Sequence, residues 1–136
     1  MEAMMNLFVA VDHLRSRAND VCSRFGITHG QYNVLRILRS AHPTGHPRCE
    51  IARRMIEKAP DVTRLVDRLE AIGLVERGRS DDDRRLSIAR ITPEGLRLLK
   101  EMDPDMKAMA TYFATKVDPR DCQEISRICE GIYEGR

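Results

Sequence analysis

A chain of 136 residues has room for one domain, or one domain with helical extensions, and its 42% hydrophobic content is enough for a core. With 4% aromatic residues and no tryptophan that core is aliphatic, with methionine as filler. A net charge of +2 points to no partner by itself, because a nucleic-acid binder needs its basic groups sorted onto one face rather than a large total.

The first segment, Glu2 to Phe25, places Leu7, Phe8, Val11, Leu14, Ala18, Val21 and Cys22 at helical spacing, and Gly26 ends it. "ITHGQY" opens a second helix, with Thr28 as N-cap, Gln31 completing a capping box, and Ile27 and Tyr32 as a flanking hydrophobic staple. This helix carries Val34, Leu35, Ile37 and Leu38 and runs to about Ala41. "HPTGHPR" is a turn-rich break. A short helix, "CEIARRMIEK", follows, and then "PDVTRLVDRLEAIG", where Pro60 suits a first helical turn. Val62, Leu65, Val66, Leu69 and Ile72 form the apolar stripe of that helix, and Gly73 its left-handed stop.

The period then changes. "LVERGRS" and "RRLSIARI" predict two strands joined by an acidic-basic tip. "TPEG" opens another helix, with Thr92 as N-cap and Pro93 at its first position. Pro104 inside that helix is expected to kink or interrupt it. Asp118 and Pro119 start a last helix, with Cys122, Ile125, Ile128, Cys129 and Ile132 on one side. The fold expected is mainly α with a small antiparallel β-hairpin, a winged helix-turn-helix core flanked by N- and C-terminal helices. The whole chain, 1–136, reads as a single domain. Its winged core is expected at 27–92, and its flanking helical region, which would serve dimerisation, at 1–25 and 93–136. The flanking helices hold more aliphatic residues than so small a core needs, which suggests a second copy as partner.

With the stripe of "PDVTRLVDRLEAIG" turned inward, Asp61, Thr63, Arg64, Asp67 and Arg68 face out. A helix-turn-helix lays its second helix in the major groove, its N-terminal residues nearest the bases. Arg64 can reach guanine O6 and N7, Thr63 a phosphate or a thymine methyl, and Arg68 a phosphate. Pro60 keeps the helix start narrow and rigid. The same helix taken alone also fits an ordinary solvated amphipathic face. The hairpin adds Arg77, Arg79, Arg84, Arg85 and Arg90. A guanidinium at its tip suits the negative potential of a narrow minor groove. Asp83, two residues before Arg85, is expected to hold it straight by a bidentate hydrogen bond. Asp81 and Asp82 have no role beyond solvating the tip.

The stretches "ITHGQYNVLRIL" and "PDVTRLVDRLEAIGLVERGRSDDDRRLSIARITPEG", with the helix order around them, resemble the MarR (multiple-antibiotic-resistance regulator) family. The resemblance is strongest from about Ile27 to Gly95. It implies a homodimer whose terminal helices interlock, two winged domains reading a palindromic double-stranded DNA operator, and a repressor; no enzymatic activity and no cofactor are expected of the chain. Control by a small-molecule effector is implied as well, in a crevice between dimer helices and winged domains. Asp83 and Arg85 match the family's wing-tip pair, Pro60, Asp61, Thr63 and Arg64 its base-contacting positions, and Arg84 a variable position. "HPTGHPRC" departs from the pattern, lacking the serine or threonine cap that often precedes the third helix in the family.

Competing chemistry is thinner. His42, His46 and Cys49 share a loop at H-x3-H-x2-C, but a fourth zinc ligand is missing from the pattern. The four cysteines lack a CxxC pair. Cys22 falls near the end of the first helix, away from the sensing position known in some MarR-type proteins, so a cysteine-based redox-sensing regulator is an alternative only. A winged-helix protein-interaction module is the other, and fold alone does not decide between them. No glycine-rich phosphate loop or nucleophile elbow stands out. Neither a signal peptide nor a membrane-length apolar run is seen, so a soluble cytoplasmic protein with reduced thiols is expected.

Overall fold

The structure is a computed structural model that describes residues 1–56 and 61–134. Its elements in chain order are α1 (Glu2–Arg24), α2 (His29–Ser40), α3 (Arg48–Arg54), α4 (Val62–Ala71), β1 (Val75–Arg79), β2 (Ser87–Ile91), α5 (Pro93–Lys116) and α6 (Pro119–Tyr133). This is the mainly helical architecture with one antiparallel hairpin that the sequence predicts. The chain divides into two compact units, Met1–Asp103 and Pro104–Arg136.

The first unit is built around α2. Thr28 accepts from the Gln31 N–H at 3.1 Å while the Gln31 side chain accepts from the Thr28 N–H at 2.9 Å, so the capping box forms as expected. Val34, Leu35 and Leu38 of α2 are fully enclosed, as are Ile51 of α3, Leu69 of α4, and Leu99 and Met102 of α5. Each such side chain contributes about 1.5–3 kcal/mol by leaving water. From α1 only Ala18, Val21 and Cys22 join this core, while Phe8, Val9 and Val11 stay exposed.

Four boundaries differ from expectation. The α3 helix opens at Arg48 after Pro47 and stops at Arg54, where Met55 turns to an extended backbone; Lys58, expected inside it, lies outside the described residues. It has no side-chain cap, in keeping with the missing serine or threonine. The α4 helix begins at Val62 rather than Pro60, because the Asp61 carboxylate caps it by accepting from the Arg64 N–H at 3.0 Å. Ile72, expected in the inward stripe, is the C-cap residue and 55% exposed, since the helical period ends with Ala71. The β2 strand starts at Ser87, not Arg84. Backbone bonds from Ser80 N to Leu86 O (2.9 Å) and from Leu86 N to Asp83 O (3.0 Å) fold Arg84 and Arg85 into the turn.

Pairing in the hairpin runs from Val75 opposite Ile91 to Arg79 opposite Ser87. The loop before α3 adds one bridge to its edge: His46 N donates to Ala89 O at 3.0 Å and Ala89 N to His46 O at 2.9 Å. Gly45 makes that approach possible. Its φ is +80°, and a Cβ there would stand 2.2 Å from the Ala89 carbonyl oxygen.

Thr92 joins three elements. Its hydroxyl donates to Gly73 O at 2.7 Å and accepts from Gly95 N at 3.1 Å, which caps α5 and ties it to the end of α4. Gly95 is needed because a Cβ there would meet Leu74 O at 2.5 Å and the Ile91 side chain at 2.6 Å. The expected interruption at Pro104 does not occur, and α5 continues to Lys116. The lost N–H leaves the Lys100 carbonyl unserved, and both residues are exposed, so water can take its place.

In the second unit, Asp118 caps α6 by accepting from Asp121 N at 2.8 Å, and Pro119 is the first helical residue. No residue of α6 is buried. Ile125, Ile128 and Ile132 are exposed and Cys122 and Cys129 half-buried. No described helix is long and apolar enough to cross a membrane.

Candidate nucleic-acid interface

The inward stripe of α4, Val62, Val66 and Leu69, fixes which residues face out. Arg64, Asp67 and Arg68 are exposed and Thr63 is half-buried. Among the described residues neither Arg64 nor Arg68 has a carboxylate partner, so both guanidiniums are available to an outside anion. Asp61, one of the expected base-contacting residues, has its carboxylate committed as the helix cap. That places the start of α4 firmly, and the backbone of Arg64 with it. Pro60 lies outside the described residues.

Thr63 is held from another element. Arg48, at the start of α3, donates from Nη1 to Thr63 Oγ1 at 2.7 Å. Nothing in the local spacing announces this contact, because fifteen residues separate the pair and α3 must first pack on α4.

The wing tip is built by short side chains. Ser80 Oγ accepts from the N–H groups of Asp82 (3.2 Å) and Asp83 (3.4 Å). Asp83 Oδ1 accepts from the Arg85 backbone N–H at 3.0 Å and from Arg85 Nε at 3.4 Å. The pair expected from the sequence is therefore present, but not as a two-pronged bond. A carboxylate that also caps the turn has one oxygen turned to the backbone, and only one guanidinium nitrogen reaches it. The Arg85 side chain is left 93% exposed. Arg84 beside it is exposed, as are Asp81 and Asp82.

The other wing arginines divide by role. Arg77 is paired with Asp67 of α4 and lies 3.8 Å from Glu70, so it pins the hairpin to the outward helix instead of reaching out. Arg90 donates to Arg79 O across the hairpin at 3.3 Å. The expected set of five thus reduces to Arg79, Arg84 and Arg85 facing outward. Between α3, α4 and β2 lies a cleft of about 320 Å³, whose wall includes Arg48, Thr63 and Arg77 beside apolar Ile51, Val66 and Ile88.

The competing groups are placed as follows. The Cys22 thiol is fully enclosed and pushed up to about 11 by burial, which disfavours a reactive thiolate. His46 is used through its backbone in the bridge to Ala89, and burial, with Arg54 second, lowers its ring pKa. Among the described residues no three His, Cys, Asp or Glu side chains converge as metal ligands. Glu50 instead pairs with Arg53 and Arg54, which hold its carboxyl down to about 2, the Arg53 hydrogen bond most of all.

Residues 27–87 match the sequence model described as the MarR family. The HTH-type transcriptional regulator MhqR of Bacillus subtilis (strain 168) is 30% identical over 111 residues, 79% of this chain and 75% of that protein. A MarR transcription factor from Planctomyces limnophilus, known from its crystal structure, is 35% identical, with a TM-score of 0.74 over 95% of this chain and 93% of that one. The C80S mutant of MarR from E. coli, crystallised with operator DNA, shares the fold at a TM-score of 0.85 and 17% identity, over 98% and 94% of the two chains. The winged core, the capped α4 and the wing-tip pair therefore belong to a member of the MarR family of winged helix-turn-helix transcriptional regulators.

Proposed function

We propose that this regulator is a homodimeric repressor that reads a palindromic duplex through α4 and the wing tip. The observation that carries the reading is the pairing of two features on one chain. The outward face of α4 bears Arg64 and Arg68 without carboxylate partners, and the next hairpin ends in an almost fully exposed Arg85 seated on Asp83. In this reading Thr63 and Arg64 meet base edges, Arg68 and Arg84 meet phosphates, and Arg85 enters the minor groove. Asp61 sets the helix start, and Pro60 stands just before that cap. Residues 27–92 form the DNA-binding core. Residues 1–25 and 93–136 form the dimerisation region, supported by the exposed apolar side chains of α1 and α6. Such a protein works in the cytoplasm, where the operator is. That the E. coli protein of the same fold was crystallised with operator DNA supports the duplex-binding part of this reading.

A small ligand as releasing effector is a second reading, favoured by the cleft between α3, α4 and β2 with its apolar Ile51, Val66 and Ile88. A ligand acts there only by preferring the conformation that misfits DNA.

Fluorescence anisotropy on duplexes selected from a random pool tests the main reading. The selected sites are expected to be palindromic, and binding to fall steeply with salt as phosphate contacts release counterions. Arg85→Ala is expected to weaken binding on all sequences, and Arg64→Ala to relax preference at one or two positions by roughly 1–3 kcal/mol each. Absence of duplex binding at low salt would hand the fold to a protein-interaction role.

A further inference from the structure

The contact between Arg48 and Thr63 bears on which base edge the protein reads. Thr63 is the second residue of α4, and its oxygen accepts from Arg48 Nη1 at 2.7 Å. A guanidinium carries only donors, so the polarity of this bond has no alternative. The threonine hydroxyl keeps one proton, and among the described residues no acceptor takes it. A second donor approaching the same oxygen would also meet the positive charge of Arg48 at close range. An approaching acceptor meets an O–H that no described residue engages, and the same favourable charge.

We propose that Arg48 is a specificity-determining positioning residue: it fixes Thr63 as a hydrogen-bond donor, so that this position reads an acceptor edge of the major groove. The acceptors there are purine N7, guanine O6 and thymine O4, while the amino groups of adenine and cytosine are donors and are rejected. Arg48 itself acts from the flank and leaves the base contact to Thr63. The inference rests on the reading of α4 as the element that enters the groove.

The test uses the full-length protein and its selected duplex, with 7-deazapurines placed one at a time to remove N7 without disturbing base pairing, and single base-pair exchanges scanned in parallel. Wild type is expected to lose about tenfold in affinity at one position of each half-site when its acceptor is removed. Thr63→Ser should keep that discrimination and Thr63→Val should lose it. Arg48→Met should lose it as well, while its salt dependence stays parallel to wild type. The double variant should be no worse than either single one, because both remove the same bond.

Two results would overturn the inference alone. One is an Arg48→Met protein whose base preferences match wild type. The other is an Arg48→Met protein whose salt slope falls by about 1, the mark of a lost phosphate contact. A wild-type protein that binds no duplex would instead remove the regulator reading and this inference together. Arg48 is exposed and outside the core, so loss of fold does not stand between the variant and its readout.

Discussion

Helices α2 and α6 are both amphipathic, yet they meet opposite fates within one chain. Gln31, Tyr32, Asn33, Val34, Leu35, Ile37 and Leu38 are all buried in α2, whereas α6 buries no residue. The difference lies in what surrounds each helix. Helices α1, α3 and α4 and strand β2 all pack on α2. The exposed Ile125, Ile128 and Ile132 on α6 form an apolar row that solvent does not favour. The same pattern of residues thus records two kinds of partner, one inside the chain and one, in the dimer reading, outside it.

The largest effect that tests this contrast belongs to α2. Leu38 is completely enclosed, so Leu38→Ala removes transfer energy and leaves a cavity. A loss of about 2–5 kcal/mol in denaturant unfolding is expected. A loss close to zero would mean that burial of α2 does not hold the unit together.

Next in size is the outer helix. Ile128→Lys places a charge in the exposed apolar row and leaves the α2 core untouched. In the dimer reading it weakens association by roughly tenfold or more, since a charge would have to be desolvated in an apolar contact. Sedimentation should show the mass falling from two chains to one at micromolar concentration. The unfolding midpoint should also lose its dependence on protein concentration. An unchanged dimer would show that α6 is not the face that pairs.

Much of the winged core was legible in the sequence because its signals are local. Thr28 and Gln31 stand three residues apart and cap each other, and Thr92 and Pro93 open α5 as their spacing predicts. The Asp83–Arg85 pair spans two residues and also forms. What escaped were contacts that exist only after elements pack. Arg48 meets Thr63 across two helices, and Arg77 is consumed by Asp67 and Glu70 of α4. Gly45 looks like any loop glycine until the Ala89 carbonyl arrives beside it. Ile72 misled because apolar periodicity continues one step past the point where the backbone leaves the helix. Of the two outcomes expected at Pro104, a kink or an interruption, the interruption does not occur, since α5 runs through it to Lys116.

The smallest expected effect sharpens the same contrast from the polar side of α6. Glu124 accepts from Arg127 Nε at 3.0 Å, one turn along the helix, and this hydrogen bonding holds its carboxyl below the ordinary value of 4.5. A carboxyl whose folded pKa is depressed stabilises the fold above its unfolded pKa, and that contribution is lost as the pH falls through the folded value. Wild type and Glu124→Gln should therefore differ slightly at neutral pH and converge as the pH drops below 4.5. Both charges are exposed, so the difference stays small and shrinks with added salt. Association at neutral pH should be the same for the two proteins, because the dimer reading buries only the isoleucine side of α6. Weaker association of Glu124→Gln in sedimentation would show that a partner covers the polar side too, and α6 would then be an enclosed helix like α2 once its partner is counted.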